Sequence, residues 1–315
     1  MQAKFWGEKP YYSLDYYLKS SYGEKIYKIA LDANLTCPTR DGKIDTRGCI
    51  FCSAGGSGEL ASKLIDTVDE QIQRGIKSLE GKNIGKKYIA YFQSFTNTYG
   101  DINYLRDIYT QALENSFIIG ISIATRPDCL PKEVLDLLAE LKGSYSDKFI
   151  WVELGLQTMH ESTASYIRRG YTLDIFEEAI TNLNNLDIPI IVHTILGLPF
   201  ESKEDMLLTI SYLNTKNIMG IKLQLLHVLK HTDLAIDYKE GMFECLSQAD
   251  YISLLIECIE YLSPNIVVHR LTGDGPRDLL IAPMWSLNKW DILNSIHRKF
   301  KNDNTWQGRK YLKDV

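Results

Sequence analysis

Three cysteines, Cys37, Cys49 and Cys52, fall within the stretch CPTRDGKIDTRGCIFC. Cys49 and Cys52 have the tight spacing of half a metal site, and the Gly-containing loop before them can return Cys37 to their side. A tetrahedral zinc site requires a fourth ligand, and no further Cys or His lies close by in sequence. Cys129, Cys245 and Cys258 read instead as core or strand-end thiols. Six cysteines in 315 residues, three of them in one loop, make a sparse disulfide framework, so reduced thiols are expected. A four-iron cluster held by three cysteines leaves one iron without a protein ligand. Such an open position admits a small molecule, as an open zinc position admits substrate.

The elements that must position this loop alternate in type. IYKIALDA, KYIAYFQS, FIIGISIA, FIWVELGL, IPIIVHTILGL and IKLQLLHV are apolar runs with the length of buried strands. Helical patterns lie between them. Pro131 marks the first turn of one, PKEVLDLLAELK, and Ser202 is placed to cap another that carries Met206, Leu207, Ile210 and Leu213. Repeated βα units predict a parallel sheet with right-handed crossovers, and this number of them favours an α/β fold of the partial (β/α)6 TIM-type barrel over an open sheet. Expected boundaries are an N-terminal extension over 1–25, the barrel over 26–231 and a C-terminal extension over 232–315 that completes the barrel side and the substrate face. In such barrels function collects at the C-terminal ends of the strands, and the cysteine loop follows the first of them.

Residues two apart in a strand share a face. Glu153, Gly155 and Gln157 therefore share one, as do Ser122, Ala124 and Arg126, and Lys222 and Gln224. With Gln93 and His193 they predict a polar lumen behind an apolar outer face. Burying so many polar groups is costly unless they bond to each other or to a ligand. A purely structural network is the alternative, and His193 alone in an apolar strand reads as readily as a satisfied core histidine.

S-Adenosylmethionine is a cofactor that uses an open iron, chelating it through its amino and carboxylate groups. The sequence resembles the radical S-adenosylmethionine (SAM) superfamily, and within it the YhcC/YtqA-type branch, through the stretched cysteine motif and through YYSLDYYL, YFQSFTNTY, TRPDCLP, VELGLQT, IRRGYT, HTILGLP and HRLTGDGPRDLLIAPMWSLNKW. The usual superfamily spacing is C-x3-C-x2-C. The resemblance implies that Cys37, Cys49 and Cys52 bind a [4Fe-4S] cluster and that Phe51 packs near the adenine. It further implies that Thr96 and Asn97 take the place of the segment contacting the methionine amino group. Gln157 and Arg169 resemble residues that hold the ribose and carboxylate in coproporphyrinogen oxidases and elongator-type enzymes. Arg126, Glu153 and His193 join this cofactor set, Glu153 as a replacement where the elongator type has a Glu at the position of Ala124. Arg168 and Arg169 have a plainer reading as helix-end cations.

Reductive cleavage of SAM to methionine and a 5′-deoxyadenosyl radical, which abstracts hydrogen from a substrate, is the implied activity. The branch has been linked to tRNA wobble-uridine maturation, in which 5-carboxymethylaminomethyluridine becomes 5-aminomethyluridine. A flavodoxin- or ferredoxin-like electron donor is the implied partner. Net charge is −5, which argues against a chain coated for nucleic acid. A local patch could still bind RNA. The segment HRKFKNDNTWQGRKYLKDV supplies six Lys or Arg against two Asp, and Trp306, Arg309 and Lys310 are its candidate substrate contacts. Its plainer reading is a solvated helix and tail. His269, Asp274 and Arg277 form a second candidate substrate group, in a segment that could also be only a turn. No apolar run is long enough to span a bilayer, so a cytoplasmic protein without membrane contact is expected. The alternatives are a radical enzyme acting on a small metabolite and a metal-stabilised scaffold without activity.

Overall fold

The computed structural model describes residues 4–56, 67–81, 85–273 and 275–312. A helix, α1 (Leu14–Tyr22), precedes an alternation of β1 (Tyr27–Leu31), α2 (Val68–Ser78), β2 (Tyr88–Phe92), α3 (Ile102–Glu114), β3 (Ile118–Thr125), α4 (Lys132–Ser144) and β4 (Phe149–Gln157). Helices α5 (Glu161–Tyr166) and α6 (Leu173–Asn185) lead to β5 (Ile190–Leu196), α7 (Lys203–Asn214) and β6 (Gly220–Leu225). Beyond lie β7 (Val228–Leu229), α8 (Asp233–Lys239), α9 (Gln248–Tyr261), β8 (Val267–Arg270), β9 (Leu280–Ala282) and α10 (Lys289–Asn302).

All six expected strands are present and pair in parallel, in chain order. A seventh, β8, pairs in parallel with β6 and comes from the region after residue 232. Its four residues include His269 and Arg270, and so short and polar a run carries no clear strand signal in the sequence. The sheet curls into a partial barrel. Lys28 of β1 and Lys222 of β6 both reach the carboxylate of Glu153 on β4. In a flat sheet β1 and β4 would stand three strand spacings, about 14 Å, apart.

Alternation sorts the side chains. Phe92, Val152, Leu154, Val192 and Leu223 are fully buried on the outer face, in one core with the helices. Ser202 caps α7 reciprocally with Asp205, which fixes where that helix begins. Pro131 sits just outside α4 as its N-cap. On the inner face, Leu18 of α1 packs with Ile26, Ile89, Trp151 and Ile191, so α1 plugs the end of the barrel where the strands start. The Tyr12 carbonyl accepts the Val268 amide and Ser13 bridges to Val268, covering the outer edge of β8. Among the described residues, the other end, where the strands finish, opens into the main cavity. Among the described residues no helix is long and apolar enough to cross a membrane.

Candidate active site

The loop after β1 folds back on itself. Gly48 N–H donates to the Thr39 carbonyl at 2.7 Å, with Gly48 at φ +76°, and Ile44 N–H donates to the Pro38 carbonyl. These bonds close the long gap in the motif and bring Cys37 to the same cavity as Cys49 and Cys52. Arg40 donates to the carbonyls of Cys52 and Ser53, and Ile50 N–H donates to Ile167, tying the loop to the end of α5. Hydrogen bonding from Cys49 holds the Cys52 thiol below its ordinary range against the effect of burial, and the Arg40 charge assists. A thiolate is the form that ligates metal. Among the described residues no three His, Cys, Asp or Glu groups could hold a single ion. A cuboidal cluster needs no such single point, because each cysteine would bind a different iron, and all three cysteines line the one cavity.

Beside the loop opens a cavity of about 520 Å³, lined by Phe51, Thr96, Arg126, Gln157 and Arg169 at the mouth. Gln157 ends β4 at a bulge in the β4–β5 register and lies at φ +67°, a strained position for a residue with a side chain. Its Oε1 is buried without a hydrogen-bond partner. Such an orphan is what a polar ligand in the mouth would satisfy. Arg126 is held bidentate by Asp128 and stacks over Tyr171. Arg169 is 2% exposed. Its guanidinium donates to the carbonyls of Tyr171, Leu156 and Thr158 and to Glu161, so most of its donors are committed to holding the β4–α6 connection.

Deeper in the lumen stands a charged network. Glu153, with no exposed surface, accepts from Lys28 at 2.5 Å and Ser122 at 2.6 Å on one oxygen. The other accepts from Lys222 and, at 2.6 Å, from His193 Nε2. Burial would raise the Glu153 pKa, but Lys222, Lys28 and His193 outweigh it and hold the carboxyl well below its ordinary range. Burial, reinforced by Lys222, lowers His193 to about 4. A neutral ring must therefore carry its proton on Nε2 to make this bond. Burial also brings Lys222 down to about 7, with the Glu153 charge opposing. Glu153 and His193 are thus partners in the lumen network, and both Glu153 oxygens are engaged there.

Not every expected residue reaches the cavity. Asn97 does not line it: its amide donates to the carbonyls of Phe92 and Ala124 and ties β2 to β3. Arg277 is exposed beyond the lining residues Gly273 and Pro276, and Asp274 lies outside the described residues. His269 does line the lumen. The basic tail sits at the end where the strands start. Gln307 bonds to the carbonyls of Ser263 and Ile266, just before β8 starts, and Lys310 N–H bonds to Glu260 at the end of α9. Trp306, Arg309 and Lys310 therefore lie at the plugged end. Lys310 is paired with Glu260 and Glu257, and Arg309 folds over Trp306. Sequence reasoning missed Lys28, Tyr91 and Arg270, all lumen residues. Lys28 and Tyr91 stand two residues before lumen-facing neighbours Ala30 and Gln93, so the alternation rule already carried the signal.

The Radical SAM superfamily matches residues 46–213, and a Radical_SAM C-terminal domain matches 218–302. YtqA of Bacillus subtilis (strain 168) is 43% identical over 96% of this chain and 93% of its own length. YhcC of Escherichia coli (strain K12) is 33% identical over 92% of each. Elongator complex protein 3 of Mus musculus is 27% identical over 53% of this chain and 30% of its own length. Among solved structures, the archaeal Methanocaldococcus infernus Elp3 superposes with a TM-score of 0.66 at 14% identity, over 90% of this chain and 64% of that one. Methylornithine synthase (PylB) does so at 0.54 and 14%, over 94% and 87%. At such identities these two speak for the fold alone.

Proposed function

This chain belongs to the radical SAM superfamily and is an enzyme of that kind, with a [4Fe-4S] cluster and SAM as its cofactors; we propose that it acts on the wobble uridine of tRNA, converting a 5-carboxymethylaminomethyl group to 5-aminomethyl, the carbon beside the amine nitrogen losing two electrons to SAM and water then cleaving the C–N bond to release glyoxylate. Cys37, Cys49 and Cys52 would hold the cluster, and Gln157, Phe51, Thr96 and Arg126 would line the SAM site. When bound, these groups supply a 5′-deoxyadenosyl radical. The chain's own residues do the rest. Trp151, Ile89 and Ile191 pack with α1 at the base of the lumen, and excluding water from such a site protects a radical from quenching. The cavity mouth at the strand ends would admit a base splayed from a single-stranded loop.

The observation that carries the catalytic reading is the meeting of three thiols from one loop with a deep polar lumen in a single cavity. The wobble-uridine substrate rests on the branch resemblance and on the partial similarity to Elongator complex protein 3. One observation favours a small metabolite instead: the tail expected to grip phosphates lies at the closed end.

Anaerobic reconstitution should load about four irons per chain, lost in Cys37→Ala, Cys49→Ala and Cys52→Ala. It should be kept in Cys129→Ala and Cys258→Ala, whose thiols burial pushes up within the core. In cells lacking the protein, 5-carboxymethylaminomethyluridine should accumulate in tRNA at the expense of 5-aminomethyluridine. Unchanged nucleosides alongside a fully loaded cluster would move the proposal to the small metabolite.

A further inference from the structure

Among the described residues, the cavity is lined by six cationic side chains and one carboxylate, Glu153. Three of the six are accounted for near the mouth: Arg40 by carbonyls, Arg126 by Asp128, Arg169 by carbonyls and Glu161. Of the deeper ones, Lys28 and Lys222 share the single carboxylate of Glu153. An ammonium has three N–H groups. Lys28 directs two of them at Glu153 and Ser122, and Lys222 directs two at Glu153 and Tyr91, at 2.8 Å in the last case. Among the described residues, one donor on each lysine remains for a ligand when the amine is protonated. Both lysines also lie over the Tyr91 ring, at 4.7 and 4.3 Å, so the two charges stand on one platform. Beside them both ring nitrogens of His269 are buried without a partner. Gly220 makes room for that ring, since a Cβ there would come within 2.5 Å of its Nε2.

Burying two ammonium groups against one carboxylate is costly, and a second negative group beside them offsets that cost. Two unused N–H groups, one from each side, match the two oxygens of a carboxylate. We propose that the lumen recognises its substrate by a carboxylate held between Lys28 and Lys222, with His269 hydrogen-bonding the group that carries it. This rests on the reading that the lumen holds the substrate of a radical reaction. Anchored there, the carboxylate lies four residues, roughly 13 Å, down β4 from Gln157 at the mouth, and the carbons attached to it point up toward the cofactor. Depth then selects which carbon is presented, and a neutral group in its place leaves two buried lysines sharing one carboxylate.

The test uses reconstituted, SAM-loaded enzyme and two tRNAs, one bearing 5-carboxymethylaminomethyluridine and one its carboxamide. Wild type should form 5′-deoxyadenosine with the acid at a kcat/KM at least roughly tenfold above the amide. Lys28→Met and Lys222→Met should each erase most of that ratio, which is read within one variant and so is insensitive to its cluster loading. Lys222→Arg should retain it. Equal use of acid and amide by wild type, or a preference surviving in both Met variants, overturns the carboxylate anchor while leaving the tRNA reading standing. If neither tRNA is processed, the tRNA reading fails, and bromide-soaked crystals of the holoenzyme decide the anchor alone. Anomalous density beside Lys28 and Lys222, absent in Lys222→Met, upholds it; a lumen without bromide there overturns it.

Discussion

Glu153 is the residue on which the lumen turns. It carries the negative charge for two lysines and the hydrogen bond that orients His193, all without exposed surface. Removing one member of a buried charged network leaves its partners desolvated and uncompensated, which costs roughly 3–5 kcal/mol, far more than the net worth of the intact pair. Glu153→Gln keeps the shape and removes the charge, so it should lower unfolding stability by about that amount in urea titrations at neutral pH. Its pH dependence has a definite sign. The folded pKa lies below the ordinary value near 4.5, so the stabilisation is complete above that value and is lost as pH falls through the folded one. The gap between wild type and Glu153→Gln should therefore narrow in acid. A gap that is small at pH 7, or one that widens on acidification, would show that the lysines find compensation elsewhere.

At the level of elements, the end of β4 and the turn after it separate two residues that the sequence placed together. Gln157 is thrown into the mouth by its bulge and positive φ, with an unpartnered oxygen. Arg169, reached through α5, is locked to three backbone carbonyls. Gln157→Ala should weaken SAM binding several-fold, as loss of one hydrogen bond to a ligand does, with little change in melting temperature. Arg169→Ala should chiefly lower the melting temperature, because it orphans buried carbonyls. Calorimetric titration beside thermal unfolding separates the two; a matched loss of affinity in both variants would return Arg169 to the cofactor. The same elements show what was legible in the sequence. Period-two alternation located the lumen face of Glu153, His193 and Lys222, and the cysteine spacing located the mouth, because both follow from local chain geometry. The direction of the Arg169 and Asn97 donors was not legible: side chains at strand ends can point to the ligand or back to the backbone, and tertiary contacts decide. Nor was β8, whose four residues pair only because β6 offers an open edge.

For the molecule as a whole, the cavity among the described residues opens where the strands finish, and cations there are the ones a tRNA whose base enters it would meet. The plug of α1 and the 305–310 tail occupy the far end, where Lys310 is already neutralised by Glu257 and Glu260. On the open side the loops after the strands carry Lys43, which lies over Tyr99, and the exposed Arg277. Cations at this rim can reach the phosphates flanking a base that enters the lumen, whereas cations at the plugged end are separated from it by the length of the barrel. Every cation removed from a phosphate reduces the slope of log affinity against log salt by about 0.7 for single-stranded nucleic acid. Neutralising Lys43 and Arg277 together should accordingly lower tRNA affinity and flatten its salt dependence by about one to one and a half units. The paired change at Arg309 and Lys310 should leave both nearly as in wild type. Filter binding across a salt series reads the two variants side by side. An affinity drop confined to the Arg309 and Lys310 variant would mean that the tRNA wraps the closed end, and that the barrel mouth is approached by its base alone.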